Sequence, residues 1–600
     1  MLKQISAHVY QLEDICHVYV LKTGGKAVLI DFGSGAVLDE LASIGVDNVT
    51  DVLMTHHHRD QGQGLGLAIA AGARVWVPHH EQDLSAQVDL HWHGRGIYNN
   101  YNVRQDKFSL LEPIPIAGTL KDHSRHVFGG YAFDVVPTPG HTTGSITLET
   151  ELDGKRIAFT GDLIAGPGKV WSMSATQWSY NGCEGVIHSI VSLSALRGKG
   201  LDMLLPSHGA IMPEPYSAID PLIERMEELL RVRGQYSELE RYREPEFREI
   251  TPHLLWNARS FANSYVLLSD SGKALLIDYG YTGLLSIFNA GADRASRRPS
   301  LLPIAYLKER YGVDKIDVVI PTHYHDDHIA GFNLLRDVEG TETWVADNFA
   351  DIFETPSRFD VPCIWYDPIP VDRRLPLDQP IVWEEYELRL HEQPGHTLYA
   401  VAISFEADGK RVLAIGDQQG DNADLNNYVY MNRFRSGDYV RSAELYAKLK
   451  PDVLISGHWD PLWVEEGYIE QLRTNGERLE RVHQELLPLD TFDLGAEGAG
   501  AWIRPYQIEA RGGETVEIAV EVRNPFPRRE PATVQLIVPA DWQLDMEALQ
   551  QEIEPHETAT VRFALTAPAG IRVKRARIAA DIAIGERRLG QQAEALVTIL

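Results

Sequence analysis

The stretch "THHHRDQGQG" (Thr55–Gly64) returns much later in the same chain as "THYHDDHIAG" (Thr322–Gly331). Each follows an apolar run, "VLM" before the first and "DVVI" then Pro321 before the second. Both space two histidines one residue apart and place an aspartate two positions after the second: His56, His58 and Asp60, then His323, His325 and Asp327. The later copy continues with His328, where the earlier one has Gln61. A short apolar run of this kind reads as a buried strand. Alternate positions at a strand's end point the same way, so each histidine pair can grip one ion.

Four further landmarks recur in the same order around these clusters. "YVLKTGGKAVLIDFGSG" (Tyr19–Gly35) matches "YVLLSDSGKALLIDYGYTG" (Tyr265–Gly283), each two strands joined by a glycine-containing turn. "PTPGHTTGS" (Pro137–Ser145) matches "EQPGHTLYA" (Glu392–Ala400), and "IAFTGD", ending at Asp162, matches "VLAIGD", ending at Asp417. "LLPSHG", ending at Gly209, matches "LISGHWD", ending at Asp460. Ordered self-similarity of this length is a tandem duplication. The later copy gains about twenty residues ahead of its cluster, in "IFNAGADRASRRPSLLPIAYLKERYG". Part of that insertion, "GADRASRRPS", reads as a tolerated surface loop or a lid beside the second cluster.

These landmarks set the expected domains at 1–245, 246–490 and 500–600. The charged stretch "RMEELLRVRGQYSELERYREPEFREI" at the seam reads as a solvated linking helix. After the spacer "LGAEGAGAW" the texture becomes short alternating strands such as "ETVEIAVEVRN", "TVQLIVP" and "ATVRFALTAP", the pattern of an antiparallel β-sandwich. The net charge of −29 argues against a nucleic-acid or anionic-membrane binder. No run of about 18 apolar residues is present to span a bilayer. The opening residues read directly as strand, and Cys16, Cys183 and Cys363 lack metal spacing, so a cytoplasmic protein with reduced thiols is expected.

The later copy offers His323, His325, Asp327, His328, His396, Asp417 and His458, each at the mouth of an apolar strand. Imidazole plus carboxylate without cysteine suits zinc, iron, manganese or nickel above calcium or magnesium. Three histidines leave a fourth position for water, as in catalytic zinc sites. Seven donors are too many for one ion, so a carboxylate shared by two ions, with a bridging hydroxide ready at neutral pH, accounts for the set.

The HxHxDH motif, followed in order by single His, Asp and His residues, resembles the metallo-β-lactamase superfamily, and within it the glyoxalase-II-like hydrolases. The likeness covers both copies. It implies an α/β fold, the αββα four-layer metallo-β-lactamase sandwich, duplicated, and followed here by an all-β Ig-like sandwich. It also implies that His323, His325 and His396 hold one ion and that Asp327, His328 and His458 hold a second, with Asp417 bridging. By the same likeness a metal-bound hydroxide attacks the substrate, and Asp327, or Asp60 in the first copy, orients it. The expected cofactors are two Zn (or Fe/Mn) ions in the second domain and one or two ions in the first.

In the first copy His56, His58 and His141 complete one set, and Asp60, Asp162 and His208 supply most of the other. Gln61 breaks it, because an amide oxygen is a far poorer zinc donor than imidazole. His79, His80, His91 and His93 follow in the next loop, where one leaning into the site is the alternative to ordinary loop histidines. His57 and Tyr324 should point away from the ions, Arg59 should lie at the surface or behind the ligands, and Asp31 and Asp278 should brace ligand loops. Tyr428, Tyr430 and Arg433 are candidate substrate contacts.

The expected activity is that of a metal-dependent hydrolase acting on a small ester, thioester or lactone, with a phosphodiester second and the second domain as the main centre. The glyoxalase-II pattern continues PGHT-x-GH, whereas this chain has "PGHTTGS" and "PGHTLYA" and no basic glutathione clamp. One alternative is a non-haem iron oxidoreductase such as a persulfide dioxygenase, using His56, His141 and Asp162. Another is a non-catalytic assembly protein with degenerate metal sites. A small-molecule substrate is the expected partner, without nucleic acid or membrane, and a homo-oligomer stays open.

Overall fold

The computed structural model describes all residues except 96–107, 177–183, 244–246, 258, 282–292, 428–434, 496, 497 and 499. The chain forms two compact units. One comprises Met1–Glu246 with Tyr281–Pro303, the other Phe247–Gly280 with Ile304–Leu600.

In the first unit, alternation along one strand sets up the layers. Within His17–Thr23, Val18 and Val20 join one buried cluster while Tyr19 and Leu21 join another, as the two-residue period of a strand requires. Tyr19 and Leu21 meet Phe133, Val135, Leu148 and Phe159 of the five-stranded sheet, so two sheets pack face to face. The seven-stranded sheet keeps sequence order from Lys3–Gln4 to Gly118–Leu120. It opens with antiparallel hairpins and turns parallel where Lys26–Ile30 pairs with Asn48–Leu53. Its outer face is covered by Val37, Leu41, Leu65 and Ala68 from short helices. The outer face of the five-stranded sheet is covered by helices Glu184–Arg197, Pro215–Val232 and Tyr236–Arg243. The result is the αββα arrangement.

The second unit repeats this plan with a seven-stranded sheet, from Phe247–Thr251 to Arg373–Leu375, and a six-stranded sheet, from Ile381–Trp383 to Leu462–Trp463. Later in the same unit, four- and five-stranded sheets enclose Ile518, Val520, Val534, Phe563, Ile582 and Val597 in an all-β sandwich.

Two local expectations are corrected. The charged seam is not a solvated helix throughout. Leu222, Met226 and Leu230, four residues apart, form a buried stripe on Pro215–Val232, and the helix stops before Gly234, whose φ of 69° suits only glycine well. The strand Phe247–Thr251 then begins the next sheet.

The inserted segment of the second repeat also departs from expectation. Its described residues 293–303 belong to the first unit and those from Ile304 onward to the second, with Arg294, Ala295, Ser296 and Arg298 buried. The Arg298 guanidinium makes a fork onto Asp122 (2.7 and 2.6 Å) and donates to the carbonyls of Thr143 and Ser145 (3.0 and 3.2 Å). A two-pronged ion pair plus two carbonyl bonds fixes what composition alone reads as a mobile loop.

Candidate metal centres

In the second unit the parallel strand Lys315–Ile320 ends against Pro321, and the chain delivers Thr322 to His328 into the mouth between the sheets. Thr322 is pinned there by Asp278, whose carboxylate accepts from its amide at 2.7 Å and its hydroxyl at 2.8 Å. The hydroxyl in turn lies 3.1 Å from His323 Nδ1, leaving Nε2 to face inward. His328 sits on the one-turn helix Asp326–Ile329 with its Nδ1 2.9 Å from Asp278 Oδ2. Asp278 adopts φ 60°, so the expected brace is present and the backbone is bent to provide it.

His396 arrives on the Pro-Gly-His-Thr turn, its Nδ1 3.1 Å from the Asn426 carbonyl and its Nε2 3.2 Å from His325 Nδ1. Asp417 follows the strand Lys410–Gly416, whose last residue has φ 52° and whose missing side chain admits Thr322. His458 is held by the Phe261 carbonyl at 3.2 Å from Nδ1.

One donor atom each from His323, His325, His396 and Asp417 lies within 4.8 Å of the others, and so do those of Asp327, His328 and His458. Asp417 stands between the groups. Its Oδ2 is 3.6 Å from His396 Nε2 and 3.1 Å from His458 Nε2, while its Oδ1 is 3.4 Å from His328 Nε2. Buried His323 Nε2, His325 Nε2, His328 Nε2 and Asp417 Oδ1 have no hydrogen-bond partner. Buried polar atoms left in this state cost stability unless something else satisfies them, and imidazole with carboxylate is the donor set of a divalent transition metal.

Proton affinities divide along the same line. Burial, with the repulsion of neighbouring imidazoles, pushes His323 well below its usual value, and burial takes His325 down to about 3. Burial also disfavours protonated His328 and His458, but the Asp417 and Asp327 carboxylates outweigh it, lifting His328 well above its usual value and His458 to about 10.

The first unit assembles its set on the same scaffold. Asp31, at φ 55°, accepts from the Thr55 amide at 2.9 Å, and Thr55 Oγ1 lies 2.9 Å from His56 Nδ1. His141 Nε2 lies 2.9 Å from His58 Nδ1, and His56, His58 and His141 form one group within 4.8 Å. Asp60, Asp162 and His208 form the other. Gln61 is buried, with its Nε2 3.4 Å from Asp162 Oδ2 and its Oε1 without a hydrogen bond. The His208 ring is turned relative to His458: Nδ1 meets Asp162 at 2.8 Å and Nε2 meets the Ile15 carbonyl at 3.1 Å. Burial lowers His208, but Asp162 and Asp60 lift it to about 9.

The side chains between ligands face elsewhere. His57 Nδ1 lies 3.1 Å from buried Glu81, which also accepts from the Gly144 amide, and Tyr324 packs edge-on to Tyr399. Arg59 donates to the Ser109 carbonyl. His80 lies 3.3 Å from Asp122, and His79 lies 3.1 Å from Thr119 Oγ1. Neither they nor His91 and His93 enter a metal-competent group among the described residues. Tyr428, Tyr430 and Arg433 lie outside the described residues. Arg298, Glu81, Asn426 and the Ile15 and Phe261 carbonyls were not singled out in the sequence. Only spatial proximity marks them, whereas the difference between Ser207 and Gly457 is visible on aligning "PSHG" with "SGHW".

A family model described as the Metallo-beta-lactamase superfamily matches residues 12–208 and again 258–458. The chain belongs to the metallo-β-lactamase superfamily. The two matches coincide with the two copies and contain every donor named above. This member is 31% identical over 160 residues to a hydroxyacylglutathione hydrolase of Fuscovulum blasticum, across 26% of this chain and 51% of that protein. The chain thus spans about half the length of that curated relative. Among solved structures, a metallo-beta-lactamase family protein from Thermus thermophilus aligns at 20% identity and TM-score 0.31, covering 38% of this chain and 82% of that chain. The metallo-beta-lactamase GOB-18 from Elizabethkingia meningoseptica aligns at 18% identity and TM-score 0.32, covering 40% and 93%. The superfamily fold implies divalent metal binding, and the grouped histidines and aspartates are arranged so that they could hold metal ions. Among the described residues no helix is long and apolar enough to cross a membrane.

Proposed function

We propose that this chain is a metal-dependent hydrolase of small esters, thioesters or lactones, with its main active centre in the second domain. The observation that carries the reading is the convergence of unpartnered, buried His323, His325 and His328 nitrogens with Asp417 lying between the two donor groups. His323, His325 and His396 would hold one zinc, iron or manganese ion and Asp327, His328 and His458 a second, with Asp417 shared. When bound, such ions supply Lewis acidity and a water acidified towards neutral pH. Asp327, 3.2 Å from His458 Nε2 and with a side chain 11% exposed, is the group that orients an attacking water and takes up its proton. In the first domain Asp60, 3.3 Å from His208 Nε2, has the corresponding position.

An acyl substrate is supported by two features. The likeness to a hydroxyacylglutathione hydrolase is one. Aromatic rings flanking the ligands are the other: Phe261 stands edge-on to His458, and in the first domain exposed Trp171 stacks on His208 with Phe108 edge-on to His58. A flat apolar acyl group gains contact area on such rings.

A second reading, an iron oxygenase centre of His56, His141 and Asp162, draws on Asp162 Oδ2 lying 3.7 and 3.5 Å from the two Nε2 atoms. His58 Nδ1, at 2.9 Å from His141 Nε2, favours the three-histidine set instead. The test is metal quantitation of His323→Ala and His56→Ala, together with a screen of ester, lactone and phosphodiester substrates. The first change should abolish turnover and the second should not. Equal loss from both contradicts the division of labour, and iron with oxygen consumption supports the second reading.

A further inference from the structure

The two sites differ at two positions at once, and the differences answer each other. Gln61 stands where the second domain has His328: the Phe32 amide donates to the Gln61 carbonyl at 2.9 Å, as the Tyr279 amide does to that of His328 at 2.7 Å. Ser207 stands where it has Gly457: their amides donate to the carbonyls of Gly161 and Gly416, at 2.8 and 2.9 Å. In the second site His328 Nδ1 lies 2.9 Å from Asp278 Oδ2. In the first, the equivalent oxygen, Asp31 Oδ2, accepts from Ser207 Oγ at 2.7 Å. The serine supplies the hydrogen bond that the absent histidine would have made.

The reverse substitution is blocked by space. A Cβ at Gly457 would lie 2.5 Å from His328 Cε1 and closer still to Asp417 Oδ1. Both neighbours are buried, His328 tied to Asp278 and Asp417 to His458, so neither can give way cheaply. An imidazole at one position and a side chain at the other therefore exclude each other.

We infer that Gln61 and Ser207 are a matched replacement that closes the second-ion position of the first domain, leaving a one-ion site held by His56, His58 and His141. The Gln61 amide N–H turns towards Asp162 Oδ2 at 3.4 Å, and the Oε1 left over is a far poorer donor to an ion than the imidazole it replaces. His208 is committed in the same sense, with Nδ1 on Asp162 and Nε2 on the Ile15 carbonyl. The inference rests on reading the histidine triads as ion sites, but not on turnover.

The test is ion content per full-length chain after zinc loading and desalting, with thermal unfolding of every variant. His56→Ala should lose one ion relative to the native chain. Gln61→His/Ser207→Gly should gain one, while Gln61→His alone should gain none and melt lower. Loss of two ions or none in His56→Ala, a gain in Gln61→His alone, or no gain in a double variant that melts like the native chain each overturns the inference. Should the double variant fail to fold, the reciprocal pair His328→Gln/Gly457→Ser decides. It should lose one ion, and retention of the full complement overturns the inference. If the ion counts follow this pattern while no ester, lactone or phosphodiester is turned over, only the hydrolase reading fails. If hydrolysis persists and the counts do not follow, only the inference fails.

Discussion

Replacing Arg298 by alanine should destabilise the first unit by about 3 kcal/mol, near the lower end of what breaking a buried ion pair costs. The change removes the fork onto Asp122 at 2.6 and 2.7 Å and the bonds to the Thr143 and Ser145 carbonyls, leaving a carboxylate only 4% exposed. His80, 3.3 Å away, stays as a partner able to accept a proton, which is why the low end applies. That energy is roughly a hundredfold in the folded-to-unfolded ratio. Because the lost bonds hold the carbonyls of Thr143 and Ser145, just after His141, amide exchange over residues 141–146 should rise by a similar factor. Urea unfolding and hydrogen exchange of the full-length chain measure both. Arg298→Met/Asp122→Leu should recover more than half of the loss, since it removes the unpaired charge as well. A single variant that loses less than about 1 kcal/mol, the value of an exposed pair, would refute the reasoning.

The same pair sets an acid limit. Burial pushes Asp122 up, but Arg298 and His80 outweigh it and hold the carboxyl well below the usual range. A depressed carboxyl contributes stability that is full above its unfolded value, about pH 4, and is lost as pH falls through the folded value. Arg298→Ala should therefore flatten the acid side of the first unit's stability profile, read by unfolding between about pH 5 and pH 2. In the second unit, Gly457→Ala drives a Cβ against His328 and should cost one ion per chain in metal analysis and at least roughly tenfold in ester turnover. Asp278→Asn weakens the support of both Thr322 and His328, and should lower zinc affinity by roughly 10- to 100-fold in competition with a chelating dye.

The layered fold and the grouping of most candidate donors were legible in the chain because both depend on local pattern. Alternation in "YVLKT" assigns Tyr19 and Val20 to opposite faces, and the strand end of "DVVIPTHYH" brings His323 and His325 to one side. The order of His396, Asp417 and His458 was readable because each stands at a strand's end. What escaped was contact between distant segments. Nothing near Arg298 announces Asp122, and its neighbours "RASRRPS" carry the composition of a loop. The charged seam misled for a related reason, since the dominant charge of its exposed face hid buried Met226, Leu230 and Leu239. His208 shows the limit at finer scale: it keeps its place in the motif while its ring turns over, held by Asp162 on one nitrogen and the Ile15 carbonyl on the other.

The first unit is discontinuous, leaving the chain at Glu246 and resuming from Tyr281 to Pro303. A gene cut at the repeat seam would give an upstream half deprived of the arginine that clamps its own histidine loop. The downstream half would carry an orphaned basic tether. Truncation or recombination between the repeats therefore costs the first unit a buried arginine that only the downstream sequence encodes.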